Sequence, residues 1–263
     1  METKEKTKTK NIILQDRDYE MLKYILEQKF LSREQLEKWF YKIQSYKRLL
    51  ELTFSGYLKK EPVVLSSKDH FLITDLGVTA LLERGVNGIR PARSIDIRFY
   101  YHNKTLTDIR LLFESIGLAR DWKTERALKS EGGYEATLKK SKGDDRVKVP
   151  DGAFLSPSGK SIVLELELTP KVSDLYKEIL KGYLKNQKID RVFYIVKGED
   201  LFNRFIGEGR WKEKGSPILS DWKGESKNKV LISRLEDIEK DALKAEVFWG
   251  NERMTIKELI DAK

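Results

Sequence analysis

The chain of 263 residues contains no cysteine, which removes disulfide frameworks, thiolate metal sites, iron–sulfur clusters and cysteine nucleophiles together. It has two histidines, His70 and His102, too few for a histidine-built metal centre and a poor basis for a histidine-dependent triad. Long apolar runs are missing as well. The longest, Val192 to Val196, falls far short of the roughly 20 residues that span a bilayer, and the start, METKEKTKTK, has no apolar stretch behind it. These absences predict a soluble, cytoplasmic protein with no membrane partner. What the chain has is charge: 51 Lys+Arg against 42 Asp+Glu, a formal net charge of +9, with 35% of residues charged. A basic excess suits a polyanionic partner, while charges of both signs also suit an ordinary solvated surface.

The first ten residues carry nothing to bury and read as a disordered tail. From Asp16 to about Lys29 an apolar stripe of Tyr19, Met21, Leu22, Ile25 and Leu26 predicts a helix. Ser32, with Gln35 three residues on, has the form of a capping box and opens a second short helix that turns Leu36, Trp39 and Phe40 inward. A third helix is predicted over about Gln44 to Tyr57, with Gly56 suited to end it. Two extended runs, Leu58 to Leu65 and Phe71 to Thr74, flank the polar turn Ser66-Ser67-Lys68-Asp69. A helix over Gly77 to Arg84 follows, and the turn formers of GVNGIRP, Gly85 to Pro91, mark a boundary.

In this order, and in SYKRLLELTFSGYLKK and FLITDLGVTALLERG, the sequence resembles the winged helix-turn-helix family. That resemblance implies a domain over residues 11–90 that binds double-stranded DNA. A recognition helix presents its N-terminal residues to base edges in the major groove. Gln44, Ser45, Tyr46 and Lys47 would then face the groove, Arg48 would lie near the phosphates, and Lys59, Lys60 and Lys68 would flank the backbone. Contact with another protein through the same domain is the alternative.

Residues 91–263 read as a second, α/β domain with a mixed sheet. A helix is predicted around Thr107 to Ser115, extended segments over Asp121 to Leu128 and Tyr134 to Leu138, and another segment over Val147 to Leu155. A strand over Ser161 to Leu168, an amphipathic helix over Ser173 to Asn186 and a strand over Arg191 to Val196 follow. The basic stretch Lys139 to Lys148 reads as a solvated loop, with a DNA-phosphate contact as the alternative. Glu165 and Glu167 lie two apart on one strand and so share a face. With Asp151 on the preceding segment they form either solvated surface or a carboxylate cluster of the kind that hard divalent cations prefer.

The Pro150-Asp151 pair and Glu165 resemble the PD-(D/E)XK phosphodiesterase superfamily, and Glu125 matches an upstream acid that many members carry. The resemblance implies a restriction-endonuclease-like fold with Mg2+ held by Asp151, Glu165 and Glu125. Asp151, Glu165, Glu167 and Lys171 would carry any catalysis. Glu167 stands where that superfamily has lysine, and Lys171 is the nearest replacement along the chain. Taken together, the winged helix, HNKTLTDIR, WKTE, PDG and LELELT resemble the replication-relaxation family of plasmid and mobile-element proteins. A DNA-binding protein of such an element is therefore expected, acting in replication control, mobilisation or transcription. Two alternatives stand beside it: a Mg2+-dependent endonuclease, and a homodimeric repressor whose second domain only assembles the protein.

Overall fold

The structure is a computed structural model that describes residues 12–41, 45–138, 146–213, 217–219 and 228–261. It forms two compact units, Met1–Asp108 and Ile109–Lys263, and mixes helices with sheets as the sequence predicts.

In the first unit α1 (Asp16–Gln28) precedes the two-residue strand β1 (Leu31–Ser32). Next comes α2 (Arg33–Leu36), which runs into a π-helical turn over Glu37–Tyr41. The predicted capping box is present: Ser32 accepts from the Gln35 amide while the Gln35 side chain accepts from the Ser32 amide. Helix α3 (Ser45–Phe54) ends ahead of Gly56, whose φ of +82° is a conformation that only glycine adopts without strain. Strands β2 (Leu58–Glu61) and β3 (His70–Ile73) form an antiparallel hairpin, and β1 joins it to give the order β1-β3-β2. Thr74 caps α4 (Asp75–Leu82). Met21, Leu22 and Ile25 of α1 pack with Leu36, Leu49, Leu52, Leu58 and Phe71, all fully or nearly fully buried.

Helix α5 (Tyr100–Ser115) begins earlier than Thr107, because Tyr100 is itself a core residue, stacked on Phe30 beside Val63 and Leu72. For the same reason the compact units divide inside α5 rather than at the Gly85 to Pro91 turn. The Gln35 amide donates to Asp108 over 2.8 Å and ties the first half of the helix to the first unit.

The second unit begins its sheet with β4 (Arg120–Thr124), followed by α6 (Glu125–Glu131). An extended run through Leu128 was expected there. Thr124 instead accepts from the Ala127 amide and caps a helix, so the strand stops where the cap begins. Strands β5 (Ala136–Leu138) and β6 (Arg146–Lys148) pair in a separate two-stranded ribbon. Then follow β7 (Gly152–Leu155), β8 (Ser161–Glu167), α7 (Ser173–Lys185), β9 (Arg191–Val196), α8 (Glu199–Ile206), α9 (Arg210–Glu213), β10 (Val230–Arg234), α10 (Leu235–Asp241), β11 (Glu246–Trp249), β12 (Glu252–Thr255) and α11 (Ile256–Asp261). The main sheet has the order β12-β11-β10-β9-β8-β7-β4. Its centre, β8-β9-β10, is parallel and the other pairings are antiparallel. The C-terminal residues, for which the sequence offered no role, thus supply one edge of this sheet.

Every residue of β8 after Ser161 is buried, so both of its faces are covered. Phe113 of α5 stacks on Phe193 on one face. On the other, Tyr176, Ile179, Leu180 and Tyr183 of α7 lie over Val163, Val192 and Tyr194. A fully buried side chain of this size contributes about 1.5–3 kcal/mol. Because the Glu165 side of the strand is also a core face, solvated surface is ruled out for its carboxylates.

Candidate functional site

The acidic strand is built into a buried cluster by three local devices. Strand β7 pairs with β8 only as far as Gly152 opposite Leu164, and Pro150 just upstream has no amide to extend the ladder. The Asp151 carboxylate takes over there, accepting from the Leu166 amide at 2.9 Å. Gly152 must be small, since a Cβ there would come 2.7 Å from the Trp122 ring, which stacks on Phe154. At Gly182 of α7 a Cβ would meet that of Ala136 at 2.5 Å, so this helix lies directly on β5. That close approach sets Tyr183, the next residue, over Glu165, and its hydroxyl donates to Glu165 Oε1 at 2.5 Å. In the ribbon Ala136 pairs with Lys148, which brings the Lys148 ammonium into the same cluster.

Lys148 Nζ lies 3.0 Å from Glu165 Oε2 and 3.8 Å from Asp151 Oδ1, and it donates to the Val149 carbonyl at 3.0 Å. Asp151 and Glu165 therefore converge on one cation, as their positions on neighbouring strands predict. Glu165 is 1% exposed. Burial first, and then the Asp151 charge, push its carboxyl up to about 7 despite Lys148 and Tyr183. Burial alone would lower the Lys148 ammonium, but the charges of Glu165 and Asp151 overcome it and raise the group above its ordinary value. Tyr194 of β9, in register with Glu165, is fully buried and its hydroxyl has no partner among the described residues.

The other residues expected at this site are paired elsewhere. Glu167 shares the face of Glu165 and is 3% exposed, but its carboxylate accepts from Lys171 Nζ at 2.5 Å. Lys171 therefore does not reach the Asp151–Glu165 pair. Its backbone is held by the Tyr176 hydroxyl and by Arg204, which donates to the Lys171 carbonyl. Glu125, at the start of α6, accepts from Lys129 one turn on, at 2.6 Å. Of the three residues expected to share a metal, Asp151 and Glu165 share Lys148 and Glu125 pairs with Lys129. Among the described residues, no three His, Asp or Glu side chains gather within reach of one metal ion. As a donor set, the site fits an ammonium and not an open divalent position. Lys148 is the member of this cluster that sequence reasoning missed; its one available signal was its place three residues before Asp151.

In the first unit the predicted DNA face is sorted by its ion pairs. Arg48 was expected near phosphates. Its guanidinium instead turns inward onto the fully buried Asp18, 2.5 Å from Oδ2, with Tyr41 donating to Oδ1 at 2.9 Å. Tyr46 donates to Asp69 at 3.3 Å beneath the Arg33 guanidinium, and Lys60 pairs with the same carboxylate at 2.9 Å. Lys59 pairs with Glu61 at 2.6 Å. Lys47 on α3 and Lys68 in the hairpin turn are exposed. Gln44 lies outside the described residues, and Ser45 opens α3.

No described helix is long and apolar enough to cross a membrane. No protein-family model matches this chain, and no curated protein and no solved structure matches it.

Proposed function

We propose that this protein binds double-stranded DNA through its first unit, read as a winged helix-turn-helix. The second unit is read as a nuclease-like domain whose acidic cluster does not cleave DNA. It would act in the cytoplasm on a plasmid or integrated element, in replication control, mobilisation or transcription. One observation carries this reading: α1, α2 and α3 are followed by the hairpin β2–β3 with β1 on its edge, and exposed lysines stand on both α3 and the hairpin turn. A helix of this kind fits the major groove while a hairpin beside it meets the backbone.

Gel-shift titration of duplex DNA tests it. Affinity should fall steeply with salt, and Lys47→Ala and Lys68→Ala should each lower the log–log salt slope by about 1 without altering stability. A flat salt response, or no shift at low salt, removes the proposal.

A second reading, a Mg2+-dependent endonuclease, draws on the convergence of Asp151 and Glu165 beside a lysine. Nicking of supercoiled plasmid in Mg2+ that disappears in Asp151→Ala would decide for it.

A further inference from the structure

A divalent cation shared by Asp151 and Glu165 could draw on Oδ1 of the first and Oε2 of the second. Those are the two oxygens that Lys148 Nζ approaches, at 3.8 and 3.0 Å. The remaining oxygens are engaged on their far sides, Asp151 Oδ2 by the Leu166 amide and Glu165 Oε1 by the Tyr183 hydroxyl. The ammonium is also anchored to the Val149 carbonyl. Its strand is held in register opposite Ala136, on which α7 rests through Gly182. Lys148 is thus directed into the pair by backbone structure and is not a surface side chain that happens to fold over.

We propose that the Lys148 ammonium is the resident cation of this site, occupying the bridging position between Asp151 and Glu165 that a divalent metal would otherwise take. The second unit then assembles its carboxylates without metal, and a two-carboxylate cation site lies latent beneath one side chain. The chemical logic is substitution of one positive group for another. Two buried carboxylates repel unless a proton or a cation stands between them, and an ammonium on a four-carbon stem supplies that charge from within the chain. Hard divalent ions take oxygen donors at about 2.0–2.6 Å, which two carboxylates freed of the ammonium can offer. The proposal deepens the reading of a nuclease-like cluster without turnover, but it does not depend on DNA binding by the first unit. A failed gel shift leaves it untouched, and its own failure leaves the gel shift untouched.

The test is a Mn2+ titration of the full-length protein, followed by isothermal calorimetry and by thermal melting. The wild type and Asp151→Asn should behave alike, with no binding that depends on Asp151. Lys148→Met, which keeps the apolar stem and removes the charge, should gain a Mn2+ site. Its melting temperature should rise by about 5–10 °C at one hundred times the dissociation constant, and Lys148→Arg should gain nothing. Mn2+ binding by the wild type that is lost in Asp151→Asn overturns the proposal, as does a folded Lys148→Met that gains no site. Should Lys148→Met not fold, the comparison of wild type with Asp151→Asn still decides.

Discussion

Asp18 in the first unit and Glu165 in the second are both buried, each beside one tyrosine hydroxyl and one basic side chain, yet their acidities move in opposite directions. Burial favours the neutral form of both. For Asp18 that penalty is outweighed by Arg48, the Gln15 amide and Tyr41, and the carboxyl is held below its ordinary value. Arg48 grips it through two nitrogens, Nε at 3.3 Å and Nη2 at 2.5 Å. At Glu165 the single ammonium is divided among Asp151, a backbone carbonyl and Glu165 itself, and the Asp151 charge adds to the cost of ionisation. An acid held by two nitrogens of one guanidinium makes a structural clamp, even though that guanidinium also pairs with Glu51 at 3.1 Å and donates to the Ile13 carbonyl at 2.8 Å. At the second site the Lys148 ammonium faces both Asp151 and Glu165, and burial together with the Asp151 charge raises the Glu165 carboxyl, a cost that a proton or a ligand can relieve. A lysine suits that role because it is a point charge on a flexible stem, whereas the arginine fork fixes geometry.

Breaking the clamp should have the largest effect. Arg48→Ala leaves Asp18 buried without its charged partner, and we expect a loss of about 3–5 kcal/mol in urea unfolding. Most of it should return in the double variant Arg48→Ala/Asp18→Ala, the coupling expected of a contacting pair. If Arg48 were instead a phosphate contact, DNA affinity would fall and stability would hold.

The pH dependence of stability should separate the two acids more finely. Glu165 has a folded value of about 7 and an unfolded one near about 4.3. Between these the native state keeps a proton that the unfolded chain has released, so this contribution is fully present below the unfolded value and is lost as pH rises through 7. Glu167, raised mainly by burial, works in the same direction. Asp18 behaves oppositely: its contribution is present above about pH 3.9 and is lost only as pH falls through its lowered folded value. Glu165→Gln should therefore gain stability relative to the wild type between pH 5 and 7.5, on the order of 2 kcal/mol. His70, buried and lowered by that burial, weakens the fold on acidification in both proteins and cancels from the comparison. An unchanged difference across that range would contradict the frustrated-pair account.

How much of this could be read from the chain follows from which interactions are local. The Ser32–Gln35 capping box and the Gly56 turn are short-range rules written in adjacent residues, and they appear as expected. Convergence of Asp151 with Glu165 needed only strand alternation and a tight turn between neighbouring strands. Lys148 was hidden because its three-residue strand adjoins a run of lysines that has the composition of a solvated loop. Its partners depend on β5, which α7 holds through the Gly182–Ala136 contact. Asp18 was hidden differently. An acid in the first turn of a helix is ordinary there, and its burial depends on Arg48 and Tyr41, 30 and 23 residues away.

The smallest effect should come from the lysine that sequence spacing favoured. Lys171 holds the buried Glu167 on a partly exposed ammonium, so solvent screens the pair and places it nearer the about 0–1 kcal/mol of surface pairs than a fully buried one. Glu167 already has its carboxyl raised, first by burial, so when Lys171 is removed it can take a proton in place of a partner. Lys171→Ala should therefore cost under about 1 kcal/mol at pH 5 and somewhat more at pH 8, where the proton is harder to hold. The Mn2+ response of the Asp151–Glu165 pair should not change, because the ammonium there belongs to Lys148. A Lys171→Ala protein that gained Mn2+ binding would show that the two pairs exchange cations, and the distinction between a shared and a private counter-ion on β8 would then be lost.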